Sequence, residues 1–246
     1  LIAVRDPYGF RPLCLGRYHD SYVVASESCA FDIIGAKYIR ELAPGEMVVL
    51  GEGELVSRNL NIEVPEKRCV FEHVYFSRPD STIFGRTVES ARRRSGEILG
   101  REAPVDADLV CAVPDSSNTA ALGFARTTGM HFELALIRNH YIGRTFISPA
   151  QKVRDMSVRI KFNPVAEVLN GKRVVVVDDS IVRGTTMRKL VKLIRGAGAT
   201  EVHLRIASPP VTNPCYYGID TPVRNELIGS SHTVAGCGHH GGERGR

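Results

Sequence analysis

The chain has 246 residues, of which 43% are hydrophobic and 24% charged, with a formal net charge of +5. That length holds one large or two medium domains with ample core, and the composition is ordinary for a globular protein. The charge is modest and mostly dispersed, which demands no nucleic-acid partner, and neither a membrane-spanning apolar run nor a signal peptide is visible.

The first third reads as β-rich. Leu1 to Val4 and Pro12 to Gly16 look like strands, and Tyr22 to Ser26 pairs back through the turn His19-Asp20-Ser21. Cys29 to Ala36 reads as a short helix. Glu46 to Leu50 and Glu54 to Ser57 form a hairpin across Gly51-Glu52-Gly53. From about Cys69 the pattern changes, so a boundary is expected near residues 60–68.

Beyond it, Val70 to Phe76 is expected as a strand and Thr87 to Glu102 as a helix, where Arg92-Arg93-Arg94 is a solvated face. Leu109 to Val113 is a strand, Thr119 to Thr128 a helix and Glu133 to Ile137 a strand. A long polar loop then runs from Arg138 to about Lys161. The strand Val174 to Val177, the helix Met187 to Ala197 and the strand Glu201 to Ala207 complete the pattern. Alternating strands and helices argue for a parallel α/β sheet. The glycine-rich residues 232–246, with Cys237, His239 and His240, lack apolar anchors and are expected to be a disordered tail. The six cysteines are scattered without a CxxC, which points to reduced thiols and a cytoplasmic setting; Cys14 and Cys29 read as small core thiols.

The most informative segment runs from Val174 to Thr186. Four β-branched residues make a buried parallel strand, and Asp178 and Asp179 sit where it ends. Ligands of open α/β sheets bind beyond the carboxyl ends of the strands. Loop N–H groups and a helix N-terminus favour phosphate there. Gly184 permits close backbone approach, and Thr185 and Thr186 add hydroxyl donors. The two carboxylates cannot hold phosphate, but they suit ribose hydroxyls or Mg²⁺. Phosphate, pentose diol and metal together describe phosphoribosyl pyrophosphate (PRPP). The Gly-Lys-Ser/Thr of a nucleotide P-loop and the three spaced glycines of a dinucleotide site are both missing from the loop.

Other segments add a resemblance. They are Arg5-Asp6-Pro7-Tyr8-Gly9-Phe10-Arg11-Pro12-Leu13, Ala25-Ser26-Glu27-Ser28, Phe71 to Ser81, and Tyr141-Ile142-Gly143-Arg144-Thr145-Phe146-Ile147. With the PRPP segment, they resemble the glutamine PRPP amidotransferases (amidophosphoribosyltransferases) over roughly residues 1–231. The resemblance implies a type I phosphoribosyltransferase parallel sheet with helices on both faces, over residues 69–231. Before it, residues 1–68 would be the C-terminal part of a β-rich N-terminal-nucleophile (Ntn) amidotransferase domain. The implied reaction opens de novo purine synthesis: glutamine or ammonia converts PRPP to 5-phosphoribosylamine, releasing pyrophosphate.

Residue by residue, the resemblance carries PRPP binding onto Asp178, Asp179, Ser180, Ile181, Val182, Arg183, Gly184, Thr185 and Thr186. The pyrophosphate loop falls on Asp115, Ser116, Ser117 and Asn118, and Mg²⁺ on Ser116, Asp178 and Asp179. A flexible loop that closes over PRPP falls on Arg138, Tyr141, Gly143, Arg144 and Thr145. Asp32 lies where the family binds the glutamine α-ammonium, although a helix cap or turn aspartate reads equally well. Cys69 and Cys215 fall at two of four ligand positions for the [4Fe–4S] cluster of one family branch, so the site is expected to be incomplete.

The chain starts within a strand-like run and does not show the family's amino-terminal cysteine, so a fragment without glutaminase activity is expected. The family further implies a homo-oligomer with purine nucleotides as feedback inhibitors. Two other readings stay open: a base-salvage phosphoribosyltransferase, which the β-rich start disfavours, and a PRPP-fold regulator that binds nucleic acid, which would call for a concentrated basic face.

Overall fold

The computed structural model describes residues 1–51, 54–140, 161–219, 221 and 223–232. The chain divides into two compact units, Leu1–Ala91 and Arg92–Arg246. The division falls between Ala91 and Arg92, past the 60–68 region where the composition shifts.

Unit one is β-rich. Strands β1 (Ile2–Val4), β5 (Glu46–Leu50) and β6 (Leu55–Asn59) form an antiparallel sheet in the order β1-β5-β6. Strands β2 (Cys14–Tyr18), β3 (Ser21–Ala25) and β4 (Lys37–Glu41) form a second, in the order β3-β2-β4. Helix α1 (Cys29–Ile34) precedes β4, and β7 (Thr82–Ile83) pairs with β8 (Arg86–Thr87). Alternation along β5 points Glu46, Val48 and Leu50 inward. Val48 and Leu50 join Leu15 and Leu42 in the core. The inward Glu46 is matched: Arg40 holds both its oxygens at 2.5 and 2.7 Å, Ser57 donates at 2.6 Å and the Ala43 N–H at 2.7 Å.

The strand expected over Val70 to Phe76 is instead a helical turn of π type, Glu72–Phe76. Its aromatic and β-branched residues favour extended chain, but tertiary partners override that preference. Winding brings Glu72 into the interior, where Arg11 lies 2.6 Å away and Ser77 donates at 2.8 Å. An extended run would have separated Glu72 from Ser77.

Unit two is built on a parallel sheet in the order β10-β9-β13-β14, from β9 (Leu109–Ala112), β10 (His131–Phe132), β13 (Arg173–Asp178) and β14 (Glu201–Ile206). The central strands are buried along nearly their whole length and face two cores. Val174 and Val176, with Leu109 and Cys111, pack against Met187, Leu190 and Ile194 of α5 (Thr185–Gly196). Val175 and Val177, with Val110 and Ala112, pack against Ala120, Ala121 and Phe124 of α3 (Asn118–Thr128). Period-two alternation thus puts one helix on each face, the arrangement anticipated for a parallel sheet. Helix α2 (Val88–Glu102) crosses α3 at close range. A Cβ on Gly96 would lie 1.8 Å from the Ala120 carbonyl oxygen, and one on Gly123 would lie 2.2 Å from that of Arg93. Each helix therefore admits the other's backbone through a glycine.

The strand expected over Glu133 to Ile137 is displaced. Only His131–Phe132 joins the main sheet, while β11 (Leu136–Arg138) turns away and pairs antiparallel with β12 (Phe162–Pro164). Hydropathy marks this stretch as extended but cannot say which edge receives it. Helix α4 (Ala166–Leu169) leads into β13, and a 3₁₀ turn, Arg224–Glu226, leads into α6 (Ile228–Ser231).

Candidate functional site

Strands β9 and β13 are neighbours and end at the same edge of the sheet, with Val177 opposite Ala112. Their following loops, 113–117 and 179–184, therefore meet. The second is pinned by backbone bonds to the adjoining strand: Ala207 donates to the Asp178 carbonyl at 2.9 Å, and Ser208 to that of Asp179 at 2.8 Å. The first is tied by Val113 donating to Val177 at 2.9 Å.

Hydroxyls from one loop meet carboxylates from the other. Ser117 Oγ donates to Asp178 Oδ1 at 3.1 Å, and Ser116 Oγ donates to Asp179 Oδ2. Ser180 Oγ donates to Asp179 Oδ1 at 2.6 Å, and the Asp179 N–H to Asp178 Oδ1 at 2.9 Å. Ser117 is fully buried and Asp179 nearly so. Burial, reinforced by the charge of Asp179, pushes the Asp178 carboxyl up to about 7. A buried pair of like charges wants either a proton or a cation.

Two carboxylates and one hydroxyl are hard oxygen donors of the kind that Mg²⁺ takes, with water or substrate oxygens filling its remaining positions. The donor set and the raised Asp178 proton affinity both fit such an ion. Among the described residues no group of three or more His, Cys, Asp or Glu side chains gathers around a possible metal position. Cys69 and Cys215 are free thiols, each half-buried, and they belong to different units.

Gly184 immediately precedes α5 and has φ +72°, the left-handed region that favours glycine. A Cβ there would lie 3.1 Å from Ile228 Cδ1, a tight contact, and 3.9 Å from Ile181 Cδ1. Close approach at Gly184 thus also accommodates a neighbouring side chain, that of Ile228. The Ser180 hydroxyl likewise has a partner in Asp179. Thr185 and Thr186, at the exposed start of α5, remain available as donors.

Arg138, in β11, forms an ion pair with Asp115 at 2.7 Å, so the start of the expected flexible loop touches the pyrophosphate-loop candidate. Tyr141, Gly143, Arg144 and Thr145 lie outside the described residues. Asp32 is exposed in the first turn of α1, and its carbonyl accepts the Gly35 N–H at 3.3 Å. No sequence motif marks the segment 224–228. Arg183 Nε lies 2.8 Å from Glu226 Oε2, and the Ile228 N–H donates to the Val182 carbonyl at 2.9 Å. Sequence carried no signal for this contact, because Arg183 and Glu226 lie 43 positions apart and hydropathy alone cannot pair them.

A parallel sheet with helices on both faces, a carboxylate pair at a central strand end and an adjacent helix N-terminus form a ligand site of the kind that open α/β sheets build beyond their strand ends. Residues 136–208 match the phosphoribosyl transferase domain family. The chain is 57% identical over 235 residues to Amidophosphoribosyltransferase 1, chloroplastic, of Arabidopsis thaliana, covering 95% of this chain and 42% of that protein. It is 53% identical over 234 residues to Amidophosphoribosyltransferase of Bacillus subtilis, covering 95% and 49%. The solved structure of glutamine PRPP amidotransferase from B. subtilis complexed with ADP and GMP superposes with a TM-score of 0.88 at 52% identity, covering 96% of this chain and 52% of that one. The chain is homologous along nearly its whole length to the amidophosphoribosyltransferases, and it spans about half the length of these relatives.

Proposed function

We propose that this chain supplies the PRPP-binding, phosphoribosyl-transferring part of an amidophosphoribosyltransferase, the enzyme that converts PRPP and glutamine-derived ammonia to 5-phosphoribosylamine and pyrophosphate. The observation that carries the reading is the convergence of Ser116 and Ser117 on Asp178 and Asp179, beside the start of α5.

In this reading the N–H groups at the start of α5, with Thr185 and Thr186, receive the 5′-phosphate. Asp178 and Asp179 accept hydrogen bonds from the ribose hydroxyls. The Asp115–Asn118 loop, which opens onto the N-terminus of the 11-residue α3, faces the pyrophosphate. A Mg²⁺ held by Ser116, Asp178 and Asp179 would neutralise the buried acids and the charge of the departing pyrophosphate. Arg138 is held at the site's rim by Asp115 and is placed to exchange that partner for an anionic substrate.

Asp32 as a glutamine contact, and residues 141–145 as the closing loop, belong to the same reading. So do a homo-oligomer, purine-nucleotide feedback and a cytoplasmic setting. The ADP and GMP named for the B. subtilis structure support the feedback element. Cys69 and Cys215 are read as two of the four thiolates that an iron–sulfur cluster requires.

Calorimetric titration of the 246-residue chain with PRPP tests the proposal. Binding is expected with Mg²⁺ and is strongly weakened without it. Asp178→Asn should cost about 1–3 kcal/mol of binding, the range for losing a charged hydrogen-bond partner. Equal affinity for both proteins would remove the diacid from the site. Pyrophosphate release supported by ammonia supports the reading; release supported by free purine or pyrimidine bases instead would transfer the chain to the salvage enzymes.

A further inference from the structure

Loop 180–184 is short and polar, and phosphate binding requires it to hold one backbone shape. Its own sequence does not secure that shape: Gly184 is intrinsically permissive, and Arg183 is exposed. The support comes from a segment that begins 43 positions downstream of Arg183. The Ile228 N–H bonds the Val182 carbonyl at 2.9 Å, and Ile228 Cδ1 fills the space over Gly184. Glu226 pairs with Arg183, the residue between them. Leu227 is fully buried and Ile228 nearly so, which anchors the downstream segment in the core. On its other side α6 is wedged against the chain at residue 211, since a Cβ on Gly229 would lie 2.8 Å from the Val211 carbonyl oxygen. Three consecutive loop residues are thus met by one segment that is itself packed into the fold.

The geometry points to Ile228 as a positioning residue for 5′-phosphate recognition, acting through Gly184 and Val182 without touching the ligand. This inference rests on the reading of the 180–186 loop as the phosphate site. It predicts selectivity within one substrate. The pyrophosphate end of PRPP would meet the Asp115–Asn118 loop, which Ile228 does not support, while the ribose 5-phosphate end would meet the loop it does.

The experiment uses the full chain and three ligands in the presence of Mg²⁺: PRPP, ribose 5-phosphate and inorganic pyrophosphate. Ile228→Ala removes the whole contact. Ile228→Val removes only Cδ1, the atom over Gly184, and keeps the fold at small cost. Ile228→Leu restores a methyl at that reach. The expected result is a loss of ribose 5-phosphate affinity of about fivefold or more for Ile228→Ala and about twofold for Ile228→Val, recovered in Ile228→Leu, with pyrophosphate affinity unchanged throughout; a fivefold loss corresponds to about 1 kcal/mol and a twofold loss to about 0.4 kcal/mol. Wild-type affinity in both Ala and Val variants, or equal loss for ribose 5-phosphate and pyrophosphate, overturns the inference while leaving PRPP binding by the wild type intact. Failure of the wild type to bind ribose 5-phosphate or PRPP overturns the phosphate-site reading, and this inference with it.

Discussion

At Asp178 binding and stability pull in opposite directions. The folded unit keeps its carboxyl protonated up to about 7, whereas the unfolded chain releases that proton near the ordinary value of 3.8. Between these values the native state binds more protons than the unfolded state, so stability falls as pH rises through the window. Removing the charge should therefore help the empty fold and harm the site. Asp178→Asn is expected to flatten the dependence of melting temperature on pH between about 4 and 7, and to melt higher than wild type at pH 7.5 without ligand. Melting curves of both proteins at several pH values check this; parallel curves would mean that the Asp178 proton is not held by burial. Glu46 shows the opposite sign. Its hydrogen bonds from Arg40, partly offset by burial, hold the carboxyl down at about 2 against an ordinary 4.5. Its contribution is present above the ordinary value and is lost as pH falls toward 2. Because Arg40 is 40% exposed, water screens part of that interaction. Glu46→Gln should destabilise unit one by about 1–3 kcal/mol at pH 7, chiefly through donors left poorly matched, and by far less at pH 2. Denaturant titrations at the two pH values measure the difference.

Among the elements, the α2–α3 crossing is the least tolerant of change. The atoms that a Cβ on Gly96 or Gly123 would strike are backbone carbonyls, which cannot step aside as a flexible side chain can. Gly123→Ala is expected to cost at least the ~1–3 kcal/mol typical of overpacking. The denaturation midpoint should drop while the slope stays the same, since the surface exposed on unfolding is unchanged. A variant as stable as wild type would show that the helices can separate freely. The crossing also bears on the site, because α3 begins directly after Ser117, the donor to Asp178. Lifting α3 would move that hydroxyl.

On the scale of the whole molecule, the candidate phosphate, diol and pyrophosphate contacts described all fall within unit two. Ligand binding should then stabilise that unit according to its affinity and concentration. Amide exchange with and without Mg²⁺ and PRPP is expected to slow across residues 109–118 and 174–186, and to stay unchanged across β1, β5 and β6 of unit one. Protection centred on unit one would place the ligand elsewhere.

Much of this was legible in the chain itself. Val174 to Thr186 declared strand, diacid and helix start, because a buried parallel strand is continuously apolar and a charge pair can stand only at its end. The hairpin of β5 and β6 and the α3 and α5 helices were equally plain from local periodicity. What local periodicity could not supply was partnership. Glu72 turned an expected strand into a helical turn because Arg11 and Ser77 await it inside. Leu136–Arg138 left the main sheet for β12, since an extended segment does not name its neighbour. The serines at the site donate to the two aspartates, and Ile228 occupies the space over Gly184. Ser116, Ser117 and Ile228 reach their partners across 44 to 63 positions of sequence, and only the folded chain brings them into contact.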